Sequence, residues 1–199
     1  MRRVLLSFTF VFVVLGGSFS LVAKPVPKPA KVTEPALVGP TWNIAGLTFT
    51  VPAKWISETP SNSARVGQWK VPPLKPEEES GEVVALYFGP GQGGTAKENI
   101  ASWIGTMCDP NGHPAAAKEN HRTVGGLKIS EVVIFGTYSE PSPLSCIPSV
   151  GRMNYGLVGV VVEGPQGSIF WRFTGPEALI TANLPLFNKI IDGLKPQVK

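Results

Sequence analysis

Two apolar runs, Tyr155 to Glu163 and Ser168 to Thr174, are separated only by Gly164-Pro165-Gln166-Gly167. A connection this short cannot carry a parallel crossover, which needs about a dozen residues or more. The two runs therefore read as strands of an antiparallel hairpin, and any sheet that contains them is antiparallel at that point. This constraint weighs on every other motif in the chain.

The remaining strands follow the same logic. Leu47, Phe49 and Val51 alternate with Thr48 and Thr50 until Pro52, the period of a half-buried strand. Arg65 to Val71 places Val66, Gln68 and Lys70 on one face and Gly67, Trp69 and Val71 on the other. Lys75 to Gly81 is charged and carries proline, so it reads as a surface loop. Glu82 to Phe88 is apolar on both faces and is expected to be central. Leu127 to Tyr138 is a long strand, preceded by a short lead-in from His121 to Gly126.

Two helices complete the pattern. Thr95-Ala96-Lys97-Glu98 is a T-x-x-E capping box. It opens a helix with Ala96, Ile100, Trp103 and Met107 on one stripe, expected to end near Cys108. Gly175-Pro176-Glu177 opens the last helix, with Ile180, Leu184, Phe187, Ile191 and Leu194 on one face. Pro185 lies inside it and is expected to kink it. The order is β-β-β-α-β-β-β-α. It predicts an α+β fold: a single, mostly antiparallel sheet flanked by helices as an α/β/α sandwich. There is no internal repeat.

The N-terminus has a different character. Met1-Arg2-Arg3 precedes a run from Val4 to Ala23 without one charge, and Lys24 follows. A basic start, an apolar stretch and a Gly/Ser-bearing end form a secretory leader. Residues 1–23 are therefore read as a signal peptide, with cleavage after Ser20 or Ala23. An uncleaved anchor is the alternative, because the run approaches bilayer-spanning length. Residues 24–43, beginning Lys24-Pro25-Val26-Pro27-Lys28-Pro29, form an extended Pro/Lys-rich linker. Residues 44–199 are read as one domain. The expected location is the periplasm or the extracellular space, with no membrane contact after cleavage.

Charge excludes one class of partner. The chain has 18 Lys+Arg against 14 Asp+Glu. Removing Arg2 and Arg3 with the leader leaves 16 against 14, a net +2, which makes no electrostatic case for nucleic acid. The two cysteines, Cys108 and Cys146, are most simply a disulfide in an exported protein. A bridge closing a loop of about 40 residues contributes roughly 3–4 kcal/mol. Two separate thiols are the alternative.

Leu47-Thr48-Phe49-Thr50-Val51-Pro52-Ala53-Lys54-Trp55 resembles the F-x-V-P-x-x-W opening of PsbP-like domains. The glycine turn, Asn99-Ile100-Ala101-Ser102-Trp103 and Phe173-Thr174-Gly175-Pro176 are similar to a family of uncharacterised exported bacterial proteins. The resemblance covers residues 44 to 195. It implies a central antiparallel sheet flanked by helices, and it supplies no catalytic residue. PsbP-like proteins act in photosynthetic complexes, and nothing in this sequence supports that role.

Gly89, Gly91 and Gly94 of the run GPGQGG match G-x-G-x-x-G. A dinucleotide site also needs a parallel β-α-β unit and an acidic residue about 20 positions on. Here the sheet is antiparallel, and the nearest acid, Asp109, lies in the loop ending the helix. What remains is a possible anion site on the N–H groups of Gly93, Gly94 and Thr95 at a helix N-terminus. His113 and His121, with Asp109 and Glu119, match no metal-ligand spacing. No G-x-S-x-G occurs, and a thiol enzyme pairing Cys108 with His113 or His121 requires the disulfide to be wrong. Glu77-Glu78-Glu79 reads as a solvated run. Of the five tryptophans, Trp42 and Trp69 are the ones free to form an interface.

The expected function is an exported, non-enzymatic binding or assembly module for an unknown protein or envelope partner, with no cofactor. A small-molecule or anion-binding module using the Gly91–Thr95 turn is the alternative, with a thiol enzyme or hydrolase behind it.

Overall fold

The computed structural model describes residues 37–139 and 151–197. The expected hairpin is its centre. Strands β9 (Arg152–Gly164) and β10 (Gly167–Pro176) pair antiparallel in unbroken register, from Gly164↔Gly167 to Tyr155↔Pro176. On the far side of β10 come β5 (Gly81–Tyr87), β4 (Arg65–Val71) and the short β3 (Ile56–Ser57). On the far side of β9 comes β8 (Leu127–Tyr138), whose outer edge is shared by β6 (Met107–Cys108) and β7 (Ala117–Val124). Every pairing in this eight-stranded sheet is antiparallel. A second sheet joins β1 (Thr41–Ile44), β2 (Leu47–Thr50) and β11 (Lys195–Pro196).

Burial on both faces explains why β9 and β10 are almost wholly apolar. On β10, Ile169, Trp171 and Phe173 enter a large core. There they meet Leu179, Ile180, Phe187, Ile190 and Ile191 of α2 (Glu177–Asp192) and Leu47 and Phe49 of β2. Phe170 points the other way, toward Ile100 and Trp103 of α1 (Ala96–Gly105). The two helices thus lie on opposite faces of one antiparallel sheet, and the chain is an α+β sandwich as read from the sequence.

Several details differ from the sequence reading. The first strand starts at Thr41, inside the span read as linker 24–43, and pairs Trp42 with Phe49. Its turn places Ala45 at φ 47° and Gly46 at φ 75°, a two-residue primed turn that Ala disguises. The first helix stops at Gly105, and Met107, expected on its stripe, is instead buried in β6. The lead-in before β8 is the eight-residue strand β7, mostly exposed. A sheet edge that faces solvent needs no apolar alternation, and its charged side chains deter pairing with other chains. Gly125 and Gly126, both at positive φ, form the tight turn from β7 into β8. Leu194 is buried but lies beyond the end of α2. Pro185 sits within the unbroken span of α2.

Trp69 is only 1% exposed, which overturns its reading as an interface residue. Its ring stacks on Trp171 at 5.8 Å and takes the edge of Trp42 at 5.1 Å. Half-buried Trp42 packs against the same core. Both rings serve the fold's largest apolar cluster, because Gly67, Trp69 and Val71 face inward.

One contact fixes where α1 sits. A Cβ at Gly159 of β9 would lie 2.0 Å from Trp103 Cε3. Gly159→Ala is expected to destabilise the domain by about 1–3 kcal/mol through overpacking. Gly105→Ala meets open space and should stay within about 0.5 kcal/mol of the parent. Urea unfolding of the two variants, side by side, checks the pair.

Candidate functional site

The helix α1 packs on β6, β8 and β9 and leaves the β10–β5–β4 part of the same face open. Strand alternation dictates what lies there. On β10, Phe170 faces α1, so Arg172 and Thr174 share its face. The register aligns Lys70, Glu82 and Thr174 in one row across β4, β5 and β10. Gln68, Val84 and Arg172 form the next row, and Arg172 stands opposite Gly159. These rows floor a cleft of about 440 Å³. Glu58 and Arg65 flank one side, while Glu79, Ser80, Tyr138, Arg152 and Tyr155 close the other.

Two networks hold the rim. Arg65 Nη1 donates to Glu82 Oε1 and to Gln68 Oε1, each at 2.9 Å. Gln68 Nε2 in turn donates to Glu58 Oε2 at 3.1 Å. Across the cleft, Arg152 Nη1 donates to Glu79 Oε1 at 2.9 Å and to the Tyr155 hydroxyl at 2.9 Å. Tyr155 Oη donates to Glu79 Oε1 at 2.6 Å. Tyr138 stacks on Tyr155 at 5.9 Å, and Arg152 lies 5.6 Å from the Tyr155 ring centroid. Glu79, read from sequence as part of a solvated run, is therefore the tie between the β4–β5 loop and β9.

Arg172 differs from Arg65 and Arg152. No carboxylate pairs with it among the described residues, and its Nε is buried without an acceptor. Lys70 is exposed and has no ion-pair partner among the described residues either. Sequence reasoning placed Lys70 on a strand face and left Arg172 inside the Ser168 to Thr174 run, giving neither a role. A cation on an inner strand between apolar neighbours was the available signal.

The residues singled out from sequence do not come together at this cleft. At the glycine turn, Thr95 N and Thr95 Oγ1 both donate to Glu98 Oε2, at 2.7 and 2.8 Å. Glu98 N donates back to Thr95 Oγ1, so the capping box is complete. The anion beside Gly94 is thus the chain's own carboxylate, whose pKa is lowered by the backbone bond from Thr95. That arrangement weighs against the anion site at Gly93, Gly94 and Thr95: the Thr95 donor is used, and a negative charge already occupies the approach. Cys108 is buried on β6, and Cys146 lies outside the described residues. His113 is mostly exposed, 3.5 Å from Asp109. His121 Nδ1 lies 3.1 Å from Ser130 Oγ on β7–β8. No cluster of potential metal ligands occurs among the described residues.

The Tyr155 pKa is pushed up to about 12, chiefly by burial and next by its bond to Glu79. The folded state therefore keeps this proton longer than the unfolded chain. Its stabilising contribution is complete below the ordinary value of 10.0 and is lost as pH rises toward 12. Urea unfolding across that window should show a fall in stability that Tyr155→Phe reduces. Tyr155 should develop tyrosinate absorbance only well above the ordinary value of 10.0.

No family model matches the chain, and no curated protein matches it in sequence. Among solved structures, it is similar to a Pseudomonas aeruginosa protein of unknown function, at 12% identity and a TM-score of 0.47. That match covers 80% of this chain and 98% of the other. It is also similar to the cyanobacterial PsbP of Synechocystis, at 11% identity and a TM-score of 0.49, covering 83% and 98%. These are likenesses of shape below a TM-score of 0.5, and neither carries a family or an activity to this chain.

Proposed function

We propose that the chain is an exported, non-catalytic binding module whose recognition site is the charged cleft on the open half of the sheet. The observation that carries this reading is the cleft itself. It is floored by inner strands of a rigid sheet and rimmed by side chains already held in place by each other, the preorganisation that recognition favours. Its chemistry is that of donors and acceptors. The Tyr155 phenol holds its proton more tightly than usual. Glu79 and Glu82 are engaged by guanidinium groups. Neither histidine nor cysteine is among the lining residues.

Export belongs to the same proposal. It rests on the leader-like residues 1–23 and the proline-rich tether that follows. No described helix is long and apolar enough to cross a membrane.

The cleft is tested by NMR on the isotope-labelled mature chain. Fractions of the source cell envelope, small-molecule and macromolecular, are added in turn. Amide signals of Lys70, Glu82 and Arg172 should move with a binding fraction, and Lys70→Glu should reduce the response. Shifts confined to α2 or β7 overturn the reading. A Cys108–Cys146 bridge is part of the exported state proposed here. Thiol labelling of the unreduced, exported protein should modify neither cysteine, and labelling of both would exclude the bridge.

A further inference from the structure

We infer that the cleft takes a zwitterionic ligand, a short peptide or free amino acid, with its carboxylate at Arg172 and its ammonium group at Glu58. The inference rests on reading the cleft as the binding site and adds the chemistry of the occupant. It follows from which charges are left unpaired among the described residues. Arg65 is matched by Glu82 and Arg152 by Glu79. What remains among the described lining residues is Arg172 on β10 and, two strands away, Glu58 and Lys70.

Each remaining group points to a complementary charge. The buried Arg172 Nε has no acceptor, and an unsatisfied charged donor is stabilised most by an ionised oxygen. A carboxylate matches the planar guanidinium fork. Glu58 accepts only a neutral amide bond, from Gln68 Nε2, which leaves its negative charge available for an ammonium group.

The mixed lining also selects against simpler ions. A phosphate or sulfate dianion spanning the cleft would meet Glu58, which no cation neutralises among the described residues, and a bare cation would meet Lys70 and Arg172. A ligand carrying both signs avoids each repulsion. Gln68, which holds Glu58, lies two strands from Arg172 in the same row, about 10 Å at the ordinary strand spacing. A dipeptide bridges such a span more readily than a single amino acid. The 440 Å³ cleft is of a size that takes either.

Isothermal titration of the mature chain tests this with glycyl dipeptides and free amino acids as probes. N-acetylglycine, methylammonium and inorganic phosphate are the one-sign controls. The dipeptides should bind, and each control should bind about tenfold more weakly or worse. Arg172→Gln should weaken dipeptide binding by about tenfold. Glu58→Gln should weaken the dipeptide while leaving N-acetylglycine unchanged or tighter. N-acetylglycine or phosphate binding as well as the dipeptides overturns the inference in favour of a plain anion site. No binding by any zwitterion, or binding indifferent to Arg172→Gln, also overturns it. If cleft amides still answer an envelope fraction in those cases, the function reading stands and only the ligand class falls. If neither probes nor fractions move them, both fall.

Discussion

The close approach of Trp103 to Gly159 decides the character of one whole face of the sheet. With only hydrogen at Gly159, the indole of α1 rests directly on β9. The helix is thereby seated over β6, β8 and β9, with Trp103 and Ile100 buried against the sheet. One ladder step away, opposite Gly159, stands Arg172. Apolar cover therefore gives way to charge between neighbouring strands. A larger residue at Gly159 would lift α1, and the boundary between covered and open sheet would move with it. The opposite face has no such boundary, because α2 and the β1–β2 hairpin bring Phe49, Phe187 and Leu179 onto a continuous apolar surface.

That apolar surface carries the stability. Aromatic pairs at 4.9 to 6.5 Å link Phe49, Trp69, Trp171 and Phe187, and each contributes roughly 0.5–1.5 kcal/mol beyond area burial. The indole N–H groups of Trp42, Trp55, Trp69 and Trp171 are buried without acceptors, each at a cost of about 1–3 kcal/mol. Ring burial has to offset those terms. By comparison, rim pairs such as Arg152–Glu79, with both side chains more than half exposed, add only about 0–1 kcal/mol. The fold thus gains little from the cleft's charges.

The fold was legible where burial imposes a period. β8 matches its expected bounds, and the β9–β10 hairpin falls at its Gly-Pro-Gln-Gly turn, because both faces of these strands demand apolar residues. The Thr95–Glu98 box is as local as a motif can be, and it forms as read. Legibility failed where solvent relaxes the pattern. In β7, Lys118, Glu119, Asn120 and His121 are exposed, so nothing in their polarity distinguishes strand from loop. Gly125-Gly126 was the remaining signal. The site was hidden for a different reason. Lys70, Glu82 and Arg172 are about 100 residues apart at the extremes and become neighbours only through the β4–β5–β10 register. Trp69 shows the converse error: a large aromatic between charged neighbours invites an interface reading, yet the strand's alternation turns it inward.

Arg172 is the residue least explained by folding alone. It occupies an inner strand, between Val84 of β5 and Gly159 of β9. Aliphatic residues would extend the apolar floor there and gain burial. A guanidinium instead leaves a buried donor unsatisfied, a loss of about 1–3 kcal/mol. Solubility does not require that arrangement, since exposed ends such as Lys70 and Lys118 already supply charge to water. Edge protection does not require it either, because β10 is paired on both sides. A physical role open to such a group is to meet an acceptor that the described residues do not provide. A ligand carboxylate at that point would turn an unfavourable term of the free protein into binding free energy, and the domain's apolar face is large enough to carry the cost while the cleft stands empty.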